Sequence, residues 1–276
     1  MIGQVGRPAS LTELWPMLDD GLSPMAGGTD LLVAGREGSG RGVALLEGIP
    51  GLDGVDVTAE GLRLGALASH AFLERHPVVR EGLPALAQAI SCLGSPLIRN
   101  MGTLGGNLAT ASPAGDTLPA LLVLDAVVEL SSREGRRPVP LAEFLLGPGR
   151  TALSPGEIVT AVLVPLPPPG ALQHFEKIGR RDALAIAVAS LAALVVRDAD
   201  GRVAEARLAV GSLAPTARRC PAAEAALRGR RLDREALLEA GRRIRDEISP
   251  IEDLRATAAY RREAAGRLPL RLLTLA

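Results

Sequence analysis

The chain has 276 residues, 47% hydrophobic and 22% charged, which excludes a disordered polymer and leaves room for two domains with cores of their own. Basic and acidic residues number 31 each, so no net field favours nucleic acid or an anionic membrane, and an anionic ligand must be held by local geometry. No stretch approaches the roughly 18 apolar residues of a spanning helix, the N-terminus lacks the charged-then-apolar order of a signal peptide, and Cys92 and Cys220 alone supply neither a zinc nor an iron–sulfur spacing.

In chain order, Ser10 with Glu13 predicts a capping box, and Leu11, Leu14, Trp15 and Leu18 form an apolar stripe at helical spacing that Gly21 ends. Pro24 to Ala26 is extended and runs into Gly27-Gly28; Thr29 is placed to cap a short helix carrying Leu31, Leu32 and Val33, and 42–46 reads as a strand. Val55–Val57 and Leu62–Leu64 predict a hairpin turning at Thr58–Gly61. Ser69 opens a helix through Arg75, a longer helix spans Leu83 to Leu93, and Gly102–Asp116, rich in Gly, Asn, Ser and Pro, reads as a functional loop. Helix resumes over Pro119–Leu124 and strand over Ala126–Ser131.

Pro165–Gly170 is a stiff linker of extended character. Beyond it, 174–179, 187–196 and 203–211 predict three strands, and helices are expected over 221–228, 234–248 and from Arg255 to the end. The arginine-rich faces of those helices read as solvated or partner-facing surface. Both cysteines are expected to be small, buried and reduced, which points to a cytoplasmic protein.

Two segments could carry chemistry. In Ala26-Gly27-Gly28-Thr29-Asp30, two glycines let backbone approach a ligand, although a lone glycine pair is more often an ordinary tight turn. It is not the GxGxxG fingerprint, so no Rossmann unit is implied. A second pair, Gly105-Gly106, lies in Thr103-Leu104-Gly105-Gly106-Asn107 and is expected to offer a backbone nest to phosphate oxygens. Thr103 and Asn107 add uncharged donors, and Asp116 is suited to ribose hydroxyls. Two nests suit a diphosphate better than one.

The motifs at 26–33 (AGGTDLLV), 98–116 (IRNMGTLGGNLATASPAGD) and 175–181 (FEKIGRR) resemble the FAD subunits of the xanthine dehydrogenase and carbon monoxide dehydrogenase family, the molybdenum hydroxylases. The resemblance continues at 151–157 (TALSPGE), 209–215 (AVGSLAP) and 260–262 (YRR), in order along the chain. It implies an α+β architecture: a two-subdomain FAD-binding domain of the PCMH type (vanillyl-alcohol-oxidase-like) over 1–170, divided near 54, and then a C-terminal domain over 171–276. The latter would be a three-stranded antiparallel sheet packed with helices.

By the same resemblance, Pro24, Met25, Ala26, Gly27, Gly28, Thr29, Asp30 and Leu31 would grip the pyrophosphate of FAD together with Thr103, Leu104, Gly105, Gly106 and Asn107. Asp116 would hold the adenosine side, while the Val159 backbone and Lys177, the only lysine of the chain, would lie near the flavin ring. Arg180 and Arg181 are further candidates to tune the flavin or guard the acceptor entrance; His70, His76 and His174 fall in no motif. No metal and no substrate chemistry is expected on this chain. A molybdopterin-binding large subunit and a [2Fe–2S] small subunit are the implied partners, in a dimer of heterotrimers. Electrons would pass from the iron–sulfur partner through FAD to NAD, a quinone or oxygen. The alternatives are a free-standing reductase of the UDP-N-acetylenolpyruvoylglucosamine type and a non-catalytic assembly subunit without flavin.

Overall fold

A computed structural model describes residues 3–34, 42–181 and 184–275. The chain opens with β1 (Val5–Gly6), α1 (Leu11–Asp19), β2 (Ser23–Met25), α2 (Leu31–Ala34) and β3 (Val43–Leu45). The strands form a parallel sheet in the order β1-β3-β2. The Ser10 hydroxyl caps α1 by accepting from the Glu13 N–H at 3.2 Å, and the Glu13 carboxylate accepts from the Ala9 N–H at 2.9 Å, one residue ahead of the usual capping-box donor. Leu14 and Trp15 of α1 are thereby turned into a small core with Leu22, Ala44 and Leu46. Thr29 makes no side-chain cap to a described residue; α2 starts on bonds from the Leu32 N–H to Gly28 and from the Val33 N–H to Asp30, and Leu31 to Val33 are exposed.

The middle of the chain continues with β4 (Val55–Thr58), β5 (Gly61–Gly65), α3 (His70–Arg75), α4 (Pro77–Gly82), α5 (Pro84–Ser91) and α6 (Pro96–Met101). It then runs through α7 (Leu104–Thr110), α8 (Thr117–Val123), β6 (Val127–Ser132), β7 (Gly135–Pro140) and α9 (Leu141–Phe144). The short pair β8 (Leu145–Gly147) and β9 (Arg150–Thr151) precedes β10 (Ile158–Val164). An antiparallel sheet of order β4-β5-β10-β6-β7 backs the helices, with β10 buried along nearly its whole length.

One expectation is overturned here. Gly102–Asp116 is not a continuous loop, because residues 104–110 form α7. Two glycines cost the helix propensity. That cost is offset by the Thr103 hydroxyl, which caps the Gly106 N–H at 3.2 Å, and by Leu104 and Leu108, both fully buried. The helix stops at Ala111, left-handed at φ +45°. Only 112–116 remains a turn, closed by the Gly115 N–H on the Ser112 carbonyl and the Ala114 N–H on the Ser112 hydroxyl.

No helix or strand covers 165–171. The last part contains β11 (Leu172–Ile178), β12 (Ala189–Arg197), β13 (Val203–Gly211) and β14 (Arg218–Arg219), followed by α10 (Pro221–Leu227), α11 (Arg234–Glu247) and α12 (Ala258–Arg267). The antiparallel sheet has four strands where three were expected. The fourth is two arginines long and shows no apolar alternation. The Cys220 N–H bonds to Leu208 at its end, and Arg219 pairs with Asp125 and Glu224. The final helix starts later than expected, at a Thr257 cap, and gives way to a 3-10 stretch at 268–274 where Pro269 lacks the helical N–H. Ala276 lies outside the described residues.

β12 is buried on both faces. Ala192 and Leu194 join the core of the middle part, while Leu191, Ala193 and Val195 pack with α10 and α11. Its unbroken apolar run follows from that double burial. With α5 and α8 lying against this sheet, β11 brings Lys177 beside the turn that precedes α8.

Candidate functional site

β2 delivers the chain to the first glycine pair. A Cβ on Gly27 would stand 1.6 Å from the Met101 carbonyl oxygen, so only hydrogen fits where the two motif segments touch. Gly28 is left-handed at φ +68°, which favours glycine. The N–H groups of Gly27, Gly28, Thr29 and Asp30 donate to no described residue. Consecutive amides that no other protein group takes up form a cradle for an anion. Pro24, Met25, Ala26 and Leu31 complete that wall of a cleft of 620 Å³, and His70, Thr103, Gly106 and Asn107 stand on the opposite wall. That volume is within the range of ligand sites.

The second pair is built differently, and the expected backbone nest is absent. The Leu104 and Gly105 N–H groups donate to the Ala68 and Ala66 carbonyls, the Gly106 N–H to the Thr103 hydroxyl and the Asn107 N–H to the Thr103 carbonyl. Leu104 and Gly105 are buried behind the cleft; a Cβ on Gly105 would come within 2.6 Å of the Ala66 side chain. Gly105 thus serves close packing of α7 on the chain leaving β5. What this segment offers a ligand is the Thr103 hydroxyl proton, the open side of Gly106 and the Asn107 amide. Asn107 is oriented from behind: the fully buried Thr117 hydroxyl donates to its Oδ1 at 2.5 Å, leaving the NH2 end for the cleft. Thr110 ties the two walls, its hydroxyl 2.7 Å from Asp30 Oδ2.

Asp116 and Lys177 come together. The Lys177 ammonium donates to Asp116 Oδ2 at 2.6 Å and to the Cys92 carbonyl at 2.9 Å, while Asp116 Oδ1 is buried without a partner. Burial raises the Asp116 carboxyl to about 6 even though Lys177 pulls the other way. Neither residue lines the cleft of the glycine pairs, and the contact puts both at one point rather than at the two ends of a dinucleotide-sized groove. Lys177 faces a second, smaller hollow with Cys92, Arg181 and Arg271, just across the Cys92–Leu93 turn from the cleft. Cys92 is exposed there, contrary to expectation, because it caps the C-terminus of α5; Cys220 is buried, and its thiol is pushed up to about 12 by that burial.

Val159 lies in β10 with its side chain in the main core, and it is not among the residues lining the cleft. Arg180 bonds the Leu254 carbonyl and Arg181 the Leu184 carbonyl, both away from the glycine pairs. His70 is the wall residue that no motif revealed. It is the first residue of α3 and only 2% exposed, its Nδ1 has no partner, and burial lowers its pKa to about 4. Among the described residues no group of His, Cys, Asp or Glu is arranged to hold a metal.

A cleft with an amide cradle that no described residue fills, uncharged donors facing it and a buried ion pair beyond suits an elongated, phosphate-bearing ligand. Residues 2–167 match the family described as the FAD binding domain in molybdopterin dehydrogenase, and residues 173–276 match the CO dehydrogenase flavoprotein C-terminal domain. The chain belongs to this family of FAD-containing oxidoreductase subunits. It is 34% identical to the nicotine 6-hydroxylase medium subunit of Paenarthrobacter nicotinovorans, over 92% of this chain and 90% of that one. It is 31% identical to a putative xanthine dehydrogenase FAD-binding subunit of Escherichia coli, over 92% and 89%. A solved carbon monoxide dehydrogenase from Hydrogenophaga pseudoflava superposes with a TM-score of 0.94 at 31% identity, covering 99% of this chain and 96% of that one. The free-standing reductase is not favoured, since the C-terminal third has its own match within the flavoprotein family.

Proposed function

We propose that this chain takes electrons from a [2Fe–2S] partner subunit and passes them through FAD to an external acceptor (NAD, a quinone or oxygen), while a molybdopterin-binding partner oxidises the organic substrate. The observation that carries the reading is the run of amides from Gly27 to Asp30, which donate to no described residue and line a cleft of 620 Å³. Bound FAD would supply an isoalloxazine able to accept electrons singly and release them in pairs. The rest is the work of this chain.

In this reading, Pro24 to Leu31 hold the pyrophosphate through backbone amides, neutralising charge without a cation. Thr103, Gly106 and Asn107 close on it from the opposite wall, and Leu104 and Gly105 act by supporting them from the core. Asp116 would accept from a ligand hydroxyl through Oδ1, which is buried without a partner among the described residues and calls for a donor. Lys177 keeps positive charge at the same subsite, which would favour an electron-rich ligand edge. The backbone near Val159, on β10, would approach the flavin ring while its side chain stays in the core. The division into 1–54, 55–170 and 171–276 belongs to this proposal, supported by the element-free stretch 165–171. So do the partners' names, since the relatives are medium subunits or members of complexes, the dimer of heterotrimers and the cytoplasmic location.

The test is a native pull-down of the chain with flavin, iron and molybdenum analysis. A flavin spectrum with co-purifying molybdenum and iron–sulfur subunits is expected. A flavin-free chain that FAD does not stabilise against heat would overturn the proposal.

A further inference from the structure

Two motifs, Ala209–Pro215 and Tyr260–Arg262, carry part of the family likeness yet line no part of the cleft. The structure shows what joins them to the turn that carries Asp116. Arg261, on α12, is 2% exposed. Its Nη1 donates to the Val188 carbonyl at 2.6 Å and lies 3.2 Å from the Ser212 carbonyl, and its Nη2 donates to Asp253 Oδ1 at 2.8 Å. A buried guanidinium persists only where counter-charge and acceptors surround it; Asp253 and two carbonyls supply them at Nη1 and Nη2, while Nε is buried with no partner among the described residues.

Ser212 sits at the end of β13 in the left-handed region, φ +62°, which a residue with a Cβ adopts at a cost of about 1 kcal/mol or more. Its hydroxyl is buried and unpartnered, so the side chain does not explain the conformation. The backbone does. While the Ser212 carbonyl accepts from Arg261, its N–H donates to the Pro113 carbonyl at 2.8 Å. Pro113 belongs to the Ser112–Asp116 turn, whose last residue carries the Oδ1 that is buried with no partner among the described residues. A strained residue is thus clamped between a buried arginine and the turn that bears Asp116.

We propose that Arg261 is a positioning residue for the cofactor site, setting Asp116 through Ser212 and the 112–116 turn. This rests on the FAD reading above. The C-terminal part then holds that turn at two points, by the Ser212 N–H on Pro113 and by Lys177 on Asp116.

The experiment is FAD titration of the full chain, freed of flavin, with far-UV circular dichroism as the check on folding. Asp116→Asn is expected to weaken binding. Arg261→Lys keeps the charge but not the fork, and should raise the FAD Kd on the order of tenfold, about one hydrogen bond's worth, and alter the visible dichroism of bound flavin. On the Asp116→Asn background it should raise Kd no further, which a purely structural arginine would not produce. A folded Arg261→Lys with unchanged Kd, an equal loss on both backgrounds, or an indifferent Asp116→Asn overturns the proposal. If Arg261→Lys does not fold, Asp253→Asn is read the same way. A few-fold loss confined to the Asp116 background supports positioning, and no loss overturns it. A wild-type chain that binds no FAD would instead sink the FAD reading itself.

Discussion

Lys177 Nζ stands 2.6 Å from Asp116 Oδ2, and the two side chains are only 8% and 7% exposed. This ion pair joins β11 to the turn ahead of α8, and burial still holds the carboxyl up near 6. Because the folded-state pKa is raised, the group's contribution to stability is full below about 3.8 and is lost as pH rises through about 6. Lys177→Met would remove the cation that opposes this shift and leave a buried charge unpaired, at a cost of roughly 3 kcal/mol or more when Asp116 is ionised. The destabilisation measured by urea unfolding should therefore be clearly larger at pH 8 than at pH 5. Equal penalties at the two pH values would show that the pair is not coupled in this way.

His70 works in the opposite sense. Its pKa falls from 6.5 to about 4 on burial, so its contribution is present above 6.5 and is lost as pH falls through about 4. Over that window the loss amounts to roughly 3 kcal/mol. His70→Phe keeps a buried ring without the titration, and the gap in unfolding free energy between variant and wild type should shift in the variant's favour on acidification. A gap independent of pH between 6.5 and 4 would rule this out.

Gly27 and Gly54 make a matched pair. An alanine Cβ at Gly27 would meet the Met101 carbonyl at 1.6 Å, whereas nothing lies within 4 Å of one at Gly54. Gly27→Ala must push the two walls of the cleft apart, at about 1–3 kcal/mol of overpacking, and should lose most of the bound flavin. Gly54→Ala should keep both stability and flavin. Equal flavin content in the two purified variants would refute the role given to this contact.

Much of this was legible where local chemistry decides local structure. The Ser10 and Ser69 caps, the hairpin at 55–65 and the strand-to-turn path into Gly27 all follow from nearest neighbours. The second motif was misread because its two glycines look like loop, whereas Leu104 and Leu108 find a core that only the folded chain provides. Likewise, Gly105 and Gly106 are adjacent in sequence but differ in role, one packed on Ala66 and the other facing the cleft. The central strand β10 is apolar nearly throughout, and a run buried on both faces has no period to read. The contacts between Lys177 and Asp116 and between Arg261 and Ser212 span 61 and 49 residues. Nothing in local spacing announces them, and the same holds for His70, whose place in the cleft depends on α3 packing against α6.

Thr117 offers the most selective probe of the second wall. Its hydroxyl is fully buried and donates to Asn107 Oδ1, which fixes which end of the amide faces the cleft. Thr117→Val preserves shape but deletes the donor, and such a swap is not conservative when the hydroxyl is bonded. With the amide released, either end can face the ligand, and FAD affinity should fall on the order of tenfold while the melting temperature changes little. Thr117→Ser keeps the hydroxyl and should restore binding. Asn107→Ala should abolish the difference between Thr and Val at 117, since the orienting bond then has nothing to orient. If Thr117→Val weakens binding just as much in the Asn107→Ala background, the hydroxyl acts through packing or another group, and Asn107 is not the residue it serves.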